Sequence, residues 1–454
     1  MPTNEMSAAP TALDSEQELL HLRARAEAVL AEAARLGASA AEVSLSLGQG
    51  LSVTVRLGEV ETLEFHRDQG LSVSVYNGHR RGSASSSDLS DDSLRETVAA
   101  AWAIAQYTGE DACNGPAEAA LLVTEVPDLD LYHPWSLTAE DAIALARECE
   151  QAGRDDARII NSEGATVSSG SHVRVFGTSQ GFVEGYASSH HSLSCVLVAE
   201  QEDGMQRDYW YDSQSCPQRL APAAQIGAKA AARTLARLGA GRPATGEYGI
   251  LLAPDVARGF IGHFVAAISG GALYRKSSFL LDRLNSQVFP EWLSLREFPH
   301  LAGGLASAPF DSDGLPTREQ DFVRDGVLVS YALGLYAARR LGAMPTGNGG
   351  GVRNLRITHG DADGAALARE LGDGILVTEV MGQGVNLVTG DYSRGAAGFR
   401  IEGGEIAGPL EEFTIAGNLN QLFAGLVAAG SDVDARGAIH CGTLWLDRVK
   451  VAGA

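Results

Sequence analysis

The sequence has very few lysines, few cysteines and no excess of positive charge. Lysine occurs only at Lys229, Lys276 and Lys450 among 454 residues. Lysine and arginine together number 35 against 57 acidic residues, so the formal net charge is −22. A protein that binds nucleic acid needs a basic patch on its surface. The charge therefore argues against direct contact with nucleic acid.

The cysteines and the apolar residues exclude several other classes of protein. The five cysteines are odd in number and scattered, and none forms a C-x-x-C pair. This pattern argues against a disulfide framework and against a structural zinc site. The N-terminal residues lack the basic and apolar regions of a signal peptide, and no apolar run reaches the ~18 residues that cross a bilayer. We expect a cytoplasmic protein with reduced thiols and no membrane association.

The apolar residues that are present follow two periodicities, which predict an α+β fold. Residues 1–15 are expected to form a disordered tail. Residues 16–240 are expected to form an N-terminal two-layer α/β domain, and residues 247–454 a mostly-β, sandwich- or barrel-like domain, separated by the Gly- and Pro-containing segment at 239–246. Helical spacing and capping residues predict helices from Asp14 or Ser15 to Leu36, from about Asp91 to Tyr107, and over Ala139–Gly153, Ala221–Leu238, Val256–Ser269, Tyr331–Leu341 and Asp363–Leu371. Alternating apolar residues predict strands over Val43–Leu47, Leu51–Val55, Leu71–Val75, Ile159–Ser162, His172–Thr178 and Phe182–Glu200.

The stretch from Gly382 to Asn418 contains the strongest hairpin signal in the chain. Two strand-like runs, Ala396–Ile401 and Glu405–Ile415, flank Gly403-Gly404. A polar segment precedes them, from Thr389 to Gly395, and we expect it to be a loop. Such a loop on a rigid hairpin is a common way to present a binding site, although it is equally typical of a long turn.

A G-x-S-x-G string at residues 177–181 matches the nucleophile motif of serine hydrolases. That motif requires a sharp turn from a strand into a helix. Here the residues after Gly181 alternate like a strand, so we expect Ser179 to lie in a turn between two strands.

The histidines give no complete set of metal ligands. A zinc peptidase helix needs two histidines on one face and an adjacent glutamate, but Ala266 and Ala267 occupy the i+3 and i+4 positions after His263. His190 and His191 are adjacent on a strand and should point to opposite faces. His440-Cys441 has no nearby partners in sequence, and metal ligands normally come in sets of three or four. Chemistry alone therefore indicates no complete active site, and the glycine-rich residues 346–351 predict only a flexible loop.

Residues 384–418 nevertheless resemble the C-terminal signature of the TldD/PmbA family, also called modulators of DNA gyrase, on the PmbA (TldE) side. Further matches occur in the same order along the chain, over roughly residues 16–454. They are at residues 70–87 (GLSVSVYNGHRRGSASSS), 161–164 (NSEG), 179–182 (SQGF), 311–317 (DSDGLPT) and 346–350 (TGNGG).

The resemblance implies a two-chain cytosolic metalloprotease. One chain, TldD, carries an HExxxH zinc helix and a cysteine ligand, and the other, PmbA/TldE, lacks that helix. The zinc helix corresponds here to about residues 262–267, GHFVAA, where both histidine ligands and the glutamate are missing. The cysteine ligand is not carried over to Cys441. The resemblance therefore implies no catalytic residue and no cofactor in this chain, with zinc expected in the partner.

The resulting hypothesis is a zinc-free subunit, inactive alone, that pairs with a TldD-like HExxxH chain and helps to bind and cleave unfolded or extended peptides. The alternatives are an independent homodimeric peptide-binding or regulatory protein, and an autonomous hydrolase that uses Ser179 or a metal site without a sequence signature. The loop before the hairpin is expected to be a structural or peptide-facing element beside the cavity. Its residues are Asn386, Thr389, Asp391, Tyr392, Ser393 and Arg394.

Overall fold

A computed structural model describes residues 13–201 and 204–454. The predicted tail lies mainly outside the described residues; of its last residues, Asp14 caps the first helix. The chain divides into two compact units. Of the described residues, unit 1 comprises 13–198, 208–232 and 302–317, and unit 2 comprises 199–201, 204–207, 233–301 and 318–454. Two short segments thus belong to a different unit from their sequence neighbours.

Unit 1 is built on a six-stranded sheet. Its strands are β1 (Ala40–Arg56), β2 (Glu59–Asn77), β3 (Arg80–Ser86), β4 (Ile159–Thr178), β5 (Phe182–Gln201) and β6 (Gly204–Gln214). They lie in the order β3-β2-β1-β4-β5-β6, and the sheet curves into a half-barrel. Residues 201 and 204–207, at the tip of the β5–β6 hairpin, are assigned to unit 2.

The central strands are longer than predicted. The runs Val43–Leu47 and Leu51–Val55 belong to one strand, because Gly48 and Gly50 stay extended and have partners on both β2 and β4. The same correction applies to β4, in which two predicted strands are continuous. In the sequence, glycines interrupt the apolar alternation, so each strand looks like two. In the sheet, hydrogen bonds to neighbouring strands on both sides keep each strand continuous.

Four helices accompany this sheet along the chain. They are α1 (Ser15–Arg35), α2 (Asp91–Tyr107), α3 (Ala139–Gly153) and α4 (Ala223–Ala236), with short 3₁₀ turns at Ala119–Leu121 and Pro217–Arg219. The side chains of Asp14, Ser90 and Thr138 accept hydrogen bonds from the first turns of α1, α2 and α3. These bonds satisfy N–H groups that have no partner inside the helix. One face of α1, including Leu22, is buried against β1, β2 and β4.

Unit 2 contains two sheets. The strands are β7 (Gly246–Leu252), β8 (Leu295–Glu297), β9 (Gln320–Arg324), β10 (Val327–Leu328), β11 (Leu355–Ile357), β12 (Gly374–Met381), β13 (Val385–Asn386), β14 (Asp391–Glu402), β15 (Glu405–Asn418), β16 (Leu426–Ala429), β17 (Ile439–His440) and β18 (Leu444–Ala452). One sheet has the order β10-β9-β8-β11-β17, and the other has the order β12-β7-β18-β15-β14-β13. An additional β12–β14 pairing closes the larger sheet into a barrel. The predicted α+β class is confirmed.

The helices of unit 2 are short, and one is largely buried. They are α5 (Pro254–Ile268), α6 (Gly270–Tyr274), α7 (Leu335–Leu341), α8 (Gly364–Leu371) and α9 (Leu419–Ala424). Phe260, Phe264 and Ile268 of α5 lie in the main core of the unit. The β14–β15 hairpin turns at Gly403 and Gly404, whose φ values of 57° and 86° favour glycine, as predicted. In the part of the chain that the structure describes, no helix has the length and apolar character needed to span a membrane.

Candidate functional site

The candidate site lies where α5 meets β14 in unit 2. Pro254 begins α5, a position where a missing N–H costs nothing. One face of the helix is buried, and Gly262, His263 and Ala266 lie on the half-buried opposite face. These three belong to the segment 262–267 singled out in the sequence, whereas Phe264 and Ala267 of that segment are buried. Within residues 262–267, His263 is the one side chain with metal-binding chemistry.

His263 packs against an aromatic side chain from β14. Its ring centroid lies 5.8 Å from that of Tyr392, edge to face, and Tyr392 lies 6.0 Å from Phe260 in the same manner. Burial, together with the positive charge of Arg394, lowers the pKa of His263. Burial raises the pKa of Tyr392 to about 12, although Arg394 opposes that rise. Both rings are therefore neutral near pH 7, and neither is prepared to act as a charged catalytic group.

The segment predicted as a loop before the hairpin is mostly strand, so that prediction is wrong. Residues Asp391 to Gly395 belong to β14 and pair with β15. Their other side pairs with β13 at Asp391 and Tyr392 and with β12 at Gly395. Only residues 387–390 remain a turn. Backbone pairing on both sides outweighs the turn preference of Gly, Asp and Ser in this segment.

Alternation along β14 separates the predicted site residues into two groups. Tyr392 is 3% exposed and points into the core, and the half-buried Arg394 follows it on the same face. Arg394 donates from Nε to the carbonyl oxygen of Met381 over 3.1 Å. Asp391 and Ser393 are exposed on the opposite face. The six residues therefore do not form one surface.

Asp391 lies in an exposed hydrogen-bonded cluster. The Thr389 hydroxyl donates to Asp391 Oδ2 over 2.6 Å, and Asn418 Nδ2 donates to Oδ1 over 3.2 Å. These two bonds lower the pKa of Asp391. Asn386 closes the same turn by accepting from Val388 N and from Gly390 N. Because the acceptors are used to fix the turn, the cluster has a structural explanation.

Other residues considered in the sequence also have structural roles. Ser179 lies in the turn between β4 and β5, as predicted, and its Oγ accepts from Ala41 N over 3.0 Å. His191 is buried, whereas His190 is exposed, so they do point to opposite faces. The Cys441 thiol is buried and donates to Gly442 O over 3.2 Å, and burial raises its pKa. Across residues 13–201 and 204–454, no three His, Cys, Asp or Glu side chains form a group that could hold a metal ion.

A buried polar cluster surrounds Glu297, and the sequence did not predict it. Glu297 is 1% exposed, and its carboxylate accepts from Asn348 Nδ2, Gln320 Nε2 and Arg353 N. The Arg353 guanidinium donates to three carbonyl oxygens of the glycine-rich loop, those of Gly347, Gly349 and Gly351. The loop at 346–351 is thus held firmly rather than flexible. Asn348 within the glycines was the only local signal, since Glu297 is 51 residues away.

Comparisons with known proteins identify the family of this chain. Profiles of the PmbA/TldA metallopeptidases match residues 41–105 (domain 1), 132–238 (central domain) and 245–453 (C-terminal domain). Metalloprotease PmbA of Escherichia coli O157:H7 is 46% identical over 414 residues, which is 91% of this chain and 92% of that protein. The chain belongs to the PmbA/TldD metallopeptidase family.

Solved structures of related proteins share the fold of this PmbA/TldD-family chain. A proposed modulator of DNA gyrase from Bacteroides thetaiotaomicron superposes with a TM-score of 0.90 at 29% identity, covering 97% of this chain and all of the other. TldE from Thermococcus kodakarensis superposes with a TM-score of 0.83 at 17% identity, over 94% of this chain and all of TldE. The resemblance inferred from the sequence motifs is confirmed.

The zinc that the family resemblance places in the TldD chain does not fit α5 of this chain. An HExxxH helix supplies two imidazoles and a carboxylate, whereas the matched segment has Gly262 and Ala267 at the two histidine positions and His263 at the glutamate position. The ring of His263 is packed against Tyr392 instead. No catalytic step through zinc can be derived from these residues.

The lowered pKa of His263 predicts a pH dependence of stability. A histidine whose folded pKa is depressed contributes stability that is present above its ordinary pKa of 6.5 and is lost as pH falls through the folded pKa. We expect the free energy of unfolding of the wild type, relative to His263→Phe, to fall between pH 7 and pH 5. Urea unfolding at each pH measures this difference. A difference that is independent of pH would contradict the assignment.

Arg394 should act on His263 through its charge. We expect Arg394→Ala to raise the pKa of His263, measured by NMR titration of the imidazole, because a nearby positive charge disfavours protonation. Arg400→Ala on the same strand is the matched control, since the exposed Arg400 pairs with Glu402 over 3.1 Å. An equal pKa change in both variants would show that Arg394 has no specific effect.

Proposed function

We propose that this chain is the zinc-free, PmbA/TldE-like subunit of a TldD/TldE-type cytosolic metalloprotease. In this proposal it binds unfolded or extended peptides together with a TldD-like HExxxH subunit, which carries the zinc. The observation that carries the proposal is the composition of α5, where the segment matched to the zinc helix holds one packed histidine and no second ligand. Family membership and the TldE-like fold support it.

Peptide binding is supported by the kind of secondary structure that the chain presents. The sheet of unit 1 has a strand that extends beyond its neighbour, because β3 pairs with β2 only over Leu71 to Asn77. An unpaired strand edge can bind an extended peptide through main-chain hydrogen bonds, largely without regard to its sequence. Such binding suits a protease subunit that acts on unfolded chains.

The experiment that tests the proposal mixes this chain with a TldD-like HExxxH partner. Zinc content, complex size and cleavage of an unfolded protein such as reduced casein would be measured for each chain alone and for the mixture. We expect a complex of the two chains, zinc bound in it, and cleavage that requires both. A partner whose motif glutamate is replaced by glutamine is the control, and its complex should assemble without cleaving.

Two results would favour the other hypotheses. Stoichiometric zinc and peptide cleavage by this chain alone would overturn the proposal. A stable homodimer that binds peptides and does not associate with the partner would favour an independent binding protein. The serine hydrolase alternative predicts loss of activity in Ser179→Ala, whereas the proposal predicts unchanged activity of the mixture, because Ser179 closes a turn.

A further inference from the structure

Unit 1 contains a groove between α1, β5 and the connecting segment 123–132, here called the connector. One cavity of about 590 Å³ is lined by Leu19 and Arg23 of α1, by residues 124 and 126–132 of the connector, by residues 184–187 of β5, and by Pro309. A second cavity of about 690 Å³ shares Thr124 and Glu184 with it and continues along α1 to Leu30. Both volumes lie within the ~300–1,000 Å³ that is usual for ligand sites.

The groove runs along an incompletely paired part of β5. Strand β5 has 20 residues, whereas its neighbour β6 has 11 and follows it through a hairpin. β6 can therefore cover only the second half of β5. The first half, which lines the groove, has β4 on one side and the connector on the other.

One hydrogen bond shows which main-chain groups of β5 face the groove. Ser189 N donates to Leu131 O of the connector over 2.9 Å, so Ser189 directs its main-chain groups away from β4. Residues of an antiparallel strand alternate in the side to which they direct these groups. Val183, Gly185 and Ala187 therefore present their N–H and C=O groups toward the groove. Within the described residues, the connector makes no main-chain hydrogen bond to these three.

The connector is anchored at both ends of the groove. Val123 N donates to Gly314 O over 3.0 Å, and Leu131 O accepts from Ser189 as described. Between these anchors the connector stands apart from β5 and leaves the cavity. These bonds tie the connector to unit 1 on either side of the opening, which has room for an extended segment.

The side chains around the groove carry excess negative charge. Four carboxylates, those of Glu27, Asp128, Asp130 and Glu184, face one guanidinium, that of Arg23. Arg23 Nη2 pairs with Glu184 Oε2 at 2.5 Å, and His133 Nε2 lies 3.3 Å from Asp130 Oδ1 but is charged only when protonated. Among the lining residues the carboxylates therefore outnumber the permanent positive charges. Buried Arg23 Nε has no hydrogen-bond acceptor among residues 13–201 and 204–454. Such a groove favours a ligand that brings basic side chains and a carbonyl acceptor.

We propose that this groove binds an extended peptide segment with basic side chains, which pairs as an added strand with Val183, Gly185 and Ala187 of β5. The inference deepens the proposed function, on which it rests, by naming a peptide-binding edge and the charge of the preferred peptide. In this proposal, the carboxylates of Asp128 and Asp130 form ion pairs with the basic side chains of the peptide near the connector. The recognition combines sequence-independent main-chain bonds with a charge preference.

The first test removes one main-chain donor from the groove. The probe is a fluorescein-labelled peptide of alternating threonine and lysine, and binding to the full chain is followed by fluorescence anisotropy. We expect Ala187→Pro to weaken binding about tenfold, because it deletes an N–H that faces the groove and leaves the β4 side intact. Ala187→Ser, which keeps the N–H, is the control and should bind like the wild type. Equal affinity of the proline variant and the control would overturn the β-pairing.

The second test changes charge without changing shape, and it applies even if the proline variant fails to fold. Asp130 has a φ of 54°, a conformation that asparagine tolerates, and Asp128 Oδ1 accepts from Asp130 N, a bond that an amide oxygen can keep. The double variant Asp128→Asn, Asp130→Asn should lose most of the preference for the lysine peptide over a matched glutamate peptide. We expect that preference to be about tenfold in the wild type and to weaken with added salt. An unchanged preference would overturn the charge assignment.

The same samples separate this inference from the proposed function. Complex formation with the HExxxH partner and its zinc content are measured for wild type and variants alongside peptide binding. Groove-dependent binding of the lysine peptide without any partner complex would support the groove and count against the subunit role. An active complex whose peptide affinity and cleavage are the same in all variants would support the subunit role and overturn the groove.

Discussion

Glu297→Gln should destabilise the protein by about 3 kcal/mol in urea unfolding followed by tryptophan fluorescence. The wild-type carboxylate is almost fully buried and accepts four hydrogen bonds, from Asn348 twice, from Gln320 and from Arg353 N. Glutamine has an NH₂ group in place of one acceptor oxygen. At least one of the surrounding N–H donors then faces this NH₂ group and loses its acceptor. Each buried polar group left without a partner costs about 1–3 kcal/mol.

The control for this prediction is Glu319→Gln. Glu319 lies in the same unit, and its ion pair with Arg296 is half exposed, so we expect a change within about 0.5 kcal/mol. Burial raises the pKa of Glu297 more than its hydrogen bonds lower it. A glutamine variant as stable as the wild type would mean that the side chain is effectively neutral in the folded protein. In that event the loop at 346–351 would be held mainly by Arg353.

Local features of the fold were predictable because their physics is local. The helix starts at α1 and α3 follow from Asp14 and Thr138 just ahead of a periodic apolar run. The β14–β15 turn follows from two adjacent glycines. The turn at Ser179 could be assigned because alternation resumes immediately after Gly181. In each case the deciding interaction spans only a few residues.

The failures concern interactions between residues that are distant in sequence. Asp391 to Gly395 has the composition of a loop, but two neighbouring strands on one side and one on the other hold it as a strand. Gly48 and Gly50 interrupt an apolar pattern, but strands β2 and β4 keep β1 continuous. Glu297 acquires its partners from segments 23 to 56 residues away. No window of the sequence contains that information.

The candidate site illustrates the same division. The residues at the histidine and glutamate positions of the motif can be read from the sequence, because they are a matter of residue identity. The alternation of side chains along β14 decides which of the residues 386–394 face the helix. The sequence predicted a loop there, so this alternation was not predicted. The structure brings Tyr392 and Arg394 to His263 and directs Asp391 away from it. The residues near α5 are therefore packing residues first.

Tyr392→Ala should destabilise unit 2 by about 3–5 kcal/mol. The ring is 3% exposed and makes edge-to-face contacts with Phe260 and His263, so its removal opens a cavity between β14 and α5. Burial of a tyrosine ring accounts for most of this cost, and the aromatic contacts add about 1 kcal/mol. The midpoint of urea unfolding, at an unchanged denaturant dependence, measures the loss.

Tyr392→Phe is the variant that decides what the residue does. If Tyr392 supports α5 by packing, phenylalanine keeps the ring and should leave stability, complex formation with the HExxxH partner and peptide cleavage close to wild type. If its hydroxyl contacts peptide, as a peptide-facing element would, the phenylalanine variant should bind peptide more weakly while remaining stable. The buried position of the ring and its raised pKa lead us to expect the first result. A loss of peptide binding in Tyr392→Phe would restore Tyr392 to the binding surface and require β14 to open toward the peptide.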